Sequence, residues 1–170
     1  MAKRQITFIH IVCALVIIVA LGTIYYLDGN KVLETDKDLI YKDPKTITDP
    51  EEGIRYYELL QKAYKNDTYG GSTPEETLEL FKKALEKGDV ELASKYFVIE
   101  KQKQEINNFK TSKASNTLSF FIDDLNKPRV GIQLSGSTYR FRVSAYDEDP
   151  ELTFDLSFNL VSGKWKIESL

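Results

Sequence analysis

The C-terminal part of the chain alternates apolar and polar residues, and this alternation constrains the fold more than any other feature of the sequence. Apolar residues fall at every second position in Arg129 to Ser135, in Ser137 to Tyr146 and in Glu151 to Leu160. A fourth segment follows and contains Trp165 and Ile167. Because successive side chains of a β-strand point to opposite faces, this period predicts four strands. Short turns between them favour an antiparallel meander with one apolar face.

Placing the apolar face of each strand toward the interior divides the side chains into two sets. The inward set is Val130, Ile132, Leu134, Tyr139, Phe141, Val143, Ala145, Leu152, Phe154, Leu156, Phe158, Leu160, Trp165 and Ile167. The outward set is Arg140, Arg142, Ser144, Tyr146, Asp155, Asn159, Lys164, Lys166 and Glu168. A slip of one residue would expose a continuous apolar face, so each strand has a defined register. Arg140 or Arg142 is expected near Asp155 across the ladder.

Helical patterns precede the strands. Asp49-Pro50-Glu51-Glu52 is typical of a helix start, and a helix over residues 50–65 follows. This helix is expected to turn Ile54, Tyr57, Leu60, Ala63 and Tyr64 toward one side. The next start signal, at residues 73–76, precedes a helix with Leu78, Phe81, Ala84 and Leu85 at helical spacing.

Three further segments lead from this helix to the first strand. After Gly88, a short helix over residues 89–97 is expected, and residues 100–110 form a polar stretch for which no helix is predicted. Another helix is expected around residues 116–125, with Leu118, Phe121, Ile122 and Leu125 at helical spacing. The fold class that follows is α+β, with helices covering the apolar face of an antiparallel sheet.

The N-terminal segment Ile6 to Leu27 runs 22 residues without a formal charge. As a helix it would be about 33 Å long, enough to cross a hydrocarbon core of about 30 Å. Lys3 and Arg4 precede it and Asp28 follows it, which predicts a cytoplasmic N-terminus and an extracytoplasmic remainder at the cell membrane. The predicted organisation is a tail over 1–5, a transmembrane helix over 6–27, a linker over 28–48, an accessory helix over 49–71 and a domain over 72–170.

The same segment holds the only histidine and the only cysteine of the chain, His10 and Cys13. Two ligands of this kind would need a partner chain to complete a metal site, so packing within the membrane is the expected role. Cleavage after Gly22 stays open as an alternative to an uncleaved anchor, although the apolar run continues beyond it. The apolar residues that flank Cys13 do not fit a lipidation signal.

Charge and motif content restrict the function. Of the 23 basic residues, Lys3 and Arg4 precede the apolar segment, which leaves 21 against 26 acidic residues. The outer part is therefore net negative, and nucleic acid is not expected as a partner. The sequence contains no P-loop, no dinucleotide-binding glycine pattern and no metal-ligand spacing, so no cofactor and no metal are expected.

Residues 73–97, TPEETLELFKKALEKGDVELASKYF, and the ending GKWKI at 163–167 resemble the nuclear transport factor 2-like (NTF2-like, cystatin-like) superfamily, especially its small bacterial domains of unknown function. The likeness covers residues 73–170. It implies a curved sheet wrapped around helices, with an apolar pocket in the cone lined by Tyr139, Phe141, Phe154, Leu156 and Trp165. Since this scaffold hosts isomerases, dehydratases and many binding modules, it implies a fold more firmly than a function.

The resemblance also implies candidate sites. Enzymes of the superfamily often use a histidine in the cone, and none remains outside the N-terminal segment. A non-enzymatic module that binds a partner protein or a small apolar ligand is therefore the leading hypothesis. The alternative is an isomerase or dehydratase that uses Tyr139 and a helix carboxylate such as Asp123. Relatives often dimerise through the outer sheet face, which here would carry Arg140, Arg142, Ser144, Tyr146, Asp155 and Asn159.

The predicted layout has a narrower parallel. Bitopic components of bacterial type IV secretion systems combine a short cytoplasmic tail, one spanning helix and an outer domain of this kind. An envelope assembly is therefore one form that the partner-binding hypothesis takes.

Overall fold

A computed structural model describes residues 38–143 and 152–170. The predicted tail, the predicted transmembrane helix and most of the linker lie outside the described residues, as do Ser144, Ala145 and Tyr146. Within the described ranges, no helix has the length and apolar character needed to cross a membrane. Residues Ile40–Leu170 belong to one compact unit.

This unit is an α+β fold in which five helices pack on a four-stranded antiparallel sheet, counted over the described residues. A short 3₁₀ helix, Pro44–Thr46, precedes the first helix. The helices are α1 Pro50–Asn66, α2 Pro74–Glu86, α3 Val90–Ser94, α4 Ile99–Ala114 and α5 Leu118–Leu125. The strands are β1 Arg129–Gln133, β2 Thr138–Val143, β3 Leu152–Asn159 and β4 Lys164–Ser169.

The helix starts predicted from the sequence are confirmed by their side-chain caps. The backbone amide of Glu51 donates to the carboxylate of Asp49 at 3.0 Å, and that of Glu76 donates to the hydroxyl of Thr73 at 3.1 Å. Such caps satisfy amides that have no acceptor within the helix. The predicted inner face of α2 is also confirmed, since its four apolar residues are buried: Leu78, Phe81, Ala84 and Leu85.

The predicted inner face of α1 is confirmed at Leu60 and Tyr64 and wrong at Ile54 and Tyr57. Ile54 and Tyr57 are each 62% exposed, whereas Tyr56, Leu60 and Tyr64 are buried. Tyr64 makes the polar contacts of this buried face. Its hydroxyl donates to the carboxylate of Glu100 at 2.6 Å and accepts the amide of Ile99 at 3.2 Å, which fixes α1 against the start of α4.

The polar stretch after residue 100 belongs to a 16-residue helix, α4, which the sequence did not predict. Only Ile99 and Phe109 of this helix are buried. An apolar stripe with residues at every third or fourth position is therefore missing, and that stripe is the signal by which an amphipathic helix is recognised. The helix is held by a few large contacts rather than by a continuous apolar face.

The sheet has the strand order β1-β2-β3-β4, so the predicted meander is confirmed. Tyr139 pairs with Leu156 and Phe141 pairs with Phe154, and these pairs lie on the face that the helices cover. A register irregularity lies between Asp155 and Leu156. Phe141, Phe154 and Leu156 are buried in the main apolar core.

The predicted inner face of β1 is wrong. Val130 is 63% exposed and Leu134 is 51% exposed, and Val130 pairs with the outward Arg142. Gly131 pairs instead with the inward Phe141, and the phenol of Tyr139 occupies the space that a side chain at position 131 would need. The predicted inward position of Leu160 is also wrong: it lies beyond the end of β3 and is 87% exposed.

The edge of β4 is covered by two segments from the helical half of the chain. The amide of Trp165 donates to the carbonyl of Gly71 at 3.0 Å, and the amide of Ile167 donates to the carbonyl of Tyr96 at 2.9 Å. Thr77 is buried and completes this connection. Its hydroxyl accepts the amide of Gly71 at 2.8 Å and lies 3.1 Å from the carbonyl of Trp165, to which it donates. The last strand is thereby joined to the start of α2.

Lys166 lies on the outward side of the sheet, as predicted, but it is fully buried rather than exposed to solvent. The alternation is right, because Lys166 faces away from the core residues Trp165 and Ile167. The segment after α1 covers this side of β4, however. The Lys166 ammonium donates to three oxygens: the carboxylate of Asp67 at 2.6 Å, the carbonyl of Tyr69 at 3.1 Å and the carbonyl of Lys95 at 2.7 Å.

Candidate functional site

A cavity of about 470 Å³ lies between α4, the start of α5 and the end of β4. Its volume is within the range of small-molecule sites, roughly 300–1,000 Å³. The lining combines three apolar residues with eight polar or charged ones: Phe109, Phe121 and Leu170, and Lys101, Gln104, Glu105, Asn108, Ser112, Thr117, Glu168 and Ser169. We call this space the α4–α5 cavity.

The apolar side of the α4–α5 cavity is the edge of a cluster of phenylalanines. The rings of Phe109 and Phe121 have centroids 6.3 Å apart, and both rings contact Phe81. Phe121 also contacts Phe154 of the sheet. Aromatic rings that contact one another in this way form a fixed apolar wall.

One face of α4 supplies the polar side of the cavity. Lys101, Glu105, Asn108 and Ser112 are spaced by three or four residues and therefore project from one side of the helix. The ammonium of Lys101 donates to the carbonyl of Glu168, which ties α4 to the end of β4. The side-chain amide of Asn108 donates to the carboxylate of Glu105 at 3.2 Å. The cavity thus offers amide, hydroxyl, ammonium and carboxylate groups beside an apolar wall.

Sequence reasoning missed this cavity because it treated residues 100–110 as a solvated polar stretch. The one usable signal was the three-and-four spacing of polar residues around the isolated Phe109. Among the described residues, no group of three or more histidine, cysteine, aspartate or glutamate side chains could hold a metal ion. The lining can offer apolar contact and hydrogen bonds to a molecule in the cavity.

The five residues predicted to line an apolar pocket lie together on the inner face of the sheet. Phe141, Phe154, Leu156 and Trp165 are buried, and Tyr139 is half-buried. The ring centroids of Tyr139 and Phe141 are 4.9 Å apart, and Trp165 lies 6.4 Å from Tyr139. These side chains pack against one another, and none of them lines the α4–α5 cavity.

The predicted pair of Tyr139 and Asp123 is placed differently from the expectation. Asp123 is exposed on α5, and the carboxylate that acts on the Tyr139 phenol is that of Glu75 at the start of α2. Burial and this carboxylate raise the pKa of Tyr139. Glu75 is itself exposed, so its carboxylate is solvated rather than held in an apolar environment.

The outer face of the sheet carries the residues that were predicted to form an interface. Arg140 and Asp155 form a bidentate ion pair with distances of 2.6 and 2.8 Å, which confirms the expected cross-strand contact. The guanidinium of Arg140 lowers the pKa of Asp155. Arg142 is exposed, and the carboxamide oxygen of Asn159 accepts the amides of the turn at Val161 and Ser162. Dimerisation through this face stays a prediction.

Comparison with protein-family models, with curated proteins and with solved structures gave no match.

Proposed function

We propose that the chain is a single-pass, membrane-anchored, extracytoplasmic binding module, and that the α4–α5 cavity binds a small ligand that has both apolar and polar parts. The observation that carries this proposal is the cavity itself, with an aromatic wall on one side and hydrogen-bonding groups on the other. Small-molecule sites in proteins combine apolar lining with a few polar groups that fix orientation. The proposed role is binding rather than catalysis.

Sequence features support the anchored location. The uncharged segment Ile6 to Leu27 has the length of a spanning helix, and the basic residues Lys3 and Arg4 precede it. The α+β arrangement of helices on a four-stranded meander agrees with the proposed NTF2-like architecture in its coarse features. A partner in the cell envelope remains part of the proposal, through the outer face of the sheet.

The alternative of an isomerase or dehydratase has weaker support. Its proposed centre, Tyr139, lies near Glu75 rather than Asp123, and the exposed carboxylate of Glu75 remains in contact with solvent. A general base that acts on an apolar substrate is normally tuned by burial beside the substrate. The described cavity lies at other residues.

The binding proposal is tested by filling the cavity. Ser112 lines the cavity on α4, so Ser112→Phe places an aromatic ring in the space that a ligand would occupy. The full chain in lipid nanodiscs is screened with fluorinated aromatic fragments by ¹⁹F NMR. We expect fragments that bind the original chain, and loss of that binding by more than about tenfold in Ser112→Phe, which corresponds to more than about 1.4 kcal/mol.

The matched control is Ser119→Phe. Ser119 is exposed on α5 and is absent from the cavity lining, so the same substitution adds the same apolar ring elsewhere. Fragment binding is expected to survive in this variant. Equal binding by the two variants, or no fragment binding by the original chain, contradicts the proposal.

A further inference from the structure

Two neighbouring hairpin turns lie at one end of the sheet. The first joins β1 to β2 around Ser135 and Gly136, and the second joins β3 to β4 around residues 160–163. Because the strands form an antiparallel meander, the first and third connections lie at the same end. The amide of Phe158 donates to the carbonyl of Ser137 at 2.8 Å, which places the two hairpins side by side. We call these two turns the sheet tip.

The sheet tip exposes three aliphatic side chains. Leu134 is 51% exposed in the first hairpin, and Leu160 and Val161 are 87% and 41% exposed in the second. A single exposed leucine is common on protein surfaces. Three aliphatic side chains on adjacent turns form a small apolar projection at the end of the sheet, and this arrangement needs a physical explanation.

The two hairpins of the sheet tip carry no charge of their own. Residues 130–139 and 156–163 contain no charged residue, although 29% of the chain is charged. The cytoplasmic and outer surfaces of bacterial-type bilayers carry anionic lipids, and an uncharged apolar tip presents no carboxylate that such lipids would repel.

We propose that the sheet tip inserts shallowly into the membrane leaflet that faces the domain, with Leu134, Leu160 and Val161 entering the boundary between headgroups and acyl chains. The inference rests on the proposed function in one respect, the N-terminal anchor, which would keep the domain close to a bilayer. Apolar side chains that enter this boundary gain transfer free energy, as they do for amphipathic helices at the interface.

The size of the apolar projection favours lipid over a protein partner. Stable protein interfaces bury about 1,200–2,000 Å² in total, far more than three aliphatic side chains supply. A weak contact with lipid is sufficient when a tether holds the domain near the surface, because the effective concentration of the second contact is then high. Lys164 lies beside Asn159 at the base of the tip, within the same hairpin, and its ammonium can meet lipid phosphate.

The residues behind the sheet tip limit the depth of insertion. Tyr139 and Phe158 are half-buried just behind the turns, where aromatic side chains suit a membrane interface. The exposed carboxylate of Glu75 lies near Tyr139, and a carboxylate is costly to move into hydrocarbon. Insertion should therefore stop at the two turns.

A spin label measures this insertion directly. Cys13→Ser removes the native thiol, and Leu160→Cys then gives one labelling position in the full chain. The labelled chain is reconstituted into vesicles of phosphatidylethanolamine and phosphatidylglycerol, and collisions with oxygen and with a water-soluble nickel chelate are measured. We expect the ratio of oxygen collisions to nickel collisions to be severalfold higher for a label at position 160 than for a label at position 120. Phe120 is 69% exposed on α5 and lies outside the sheet tip.

The outcomes separate this inference from the proposed function. A chain that does not enter the vesicles overturns both. A chain that enters the vesicles but shows the same ratio of oxygen to nickel collisions at positions 160 and 120 overturns the inference alone. A label at 160 shielded from both collision agents indicates a protein contact and also overturns it. A label at Leu134→Cys, in the other hairpin, should reproduce the result at 160.

Discussion

The outer face of the sheet carries two ion pairs of similar distance and very different burial. The Lys166 ammonium lies 2.6 Å from Asp67, with 0% of the lysine side chain and 6% of the aspartate side chain exposed. Arg140 lies 2.6 Å from Asp155, with 42% and 30% of the side chains exposed. The first pair joins residues 99 positions apart, and the second joins neighbouring strands.

This difference shows that distance alone does not decide what an ion pair contributes. Water screens the Arg140 pair, and exposed pairs typically contribute about 0.2–1 kcal/mol. The Lys166 ammonium has lost all contact with water and depends on its three protein acceptors. Removing one partner of such a buried pair leaves an uncompensated charge, which costs about 3–5 kcal/mol.

The largest effect is expected from Asp67→Ala. This substitution leaves the Lys166 ammonium buried with two carbonyl acceptors and no carboxylate, and it also removes the acceptor of the Tyr69 amide. The free energy of unfolding should fall by about 3–5 kcal/mol, measured by denaturant titration. Asp67→Asn is the control, because it keeps an acceptor for the Tyr69 amide and removes only the charge. A loss below about 1 kcal/mol in Asp67→Ala would show that the buried pair behaves as an exposed one.

The pH dependence of stability gives a second contrast. Burial lowers the pKa of Lys166, although Asp67 acts in the opposite direction. Between this lowered pKa and the ordinary value of 10.5, the unfolded chain binds more protons, so the free energy of unfolding rises with pH. The stability of the original chain relative to Lys166→Met should therefore increase toward pH 10.5.

Comparing the original chain with Lys166→Met also removes the contribution of the buried tyrosines, because both proteins contain them. Burial raises the pKa of Tyr56 to about 12 and raises that of Tyr64, so both destabilise the fold above pH 10 in either variant. Parallel pH curves for the two proteins would contradict a lowered lysine pKa.

Arg140→Ala should instead change the pH dependence of the free energy of unfolding at acid pH. The stability that Asp155 contributes through its lowered pKa is lost as the pH falls through that pKa, and this loss should be smaller without the guanidinium.

The smallest effect is expected from the exposed pair itself. A double-mutant cycle with Arg140→Ala and Asp155→Ala should give a coupling energy of about 0.2–1 kcal/mol. Raising the salt concentration to 1 M should reduce this coupling, because exposed charges are screened. A coupling above about 2 kcal/mol that is independent of salt would remove the distinction between the two pairs.

Local patterns were sufficient where a segment carries its own signal. The sequence predicted the caps at Asp49 and Thr73 and the inner face of α2, and it predicted that Arg140 or Arg142 would lie near Asp155. In each case the information lies within a few residues or in one strand alternation. The α+β class and the meander order followed from the same signals.

Local patterns failed where a distant segment decides the environment. Alternation places Lys166 correctly on the side away from the core, but it cannot reveal that residues 67–69 cover that side. In β1, pairing with β2 places Gly131 on the inner face, where the Tyr139 phenol fills the space of the missing side chain. The α4–α5 cavity was missed for a related reason, since α4 has only Ile99 and Phe109 as buried residues.

The covered edge of β4 has a consequence for how the fold is reached. Thr77 contacts Trp165 across 88 positions, and Asp67 contacts Lys166 across 99, so these bonds close long loops. Contacts of large sequence separation slow folding, because the loop entropy is lost before the contacts form. During synthesis, α2 and α3 leave the ribosome long before β4, and until that strand arrives, the backbone groups of Gly71 and Tyr96 that it will pair with have no partner strand.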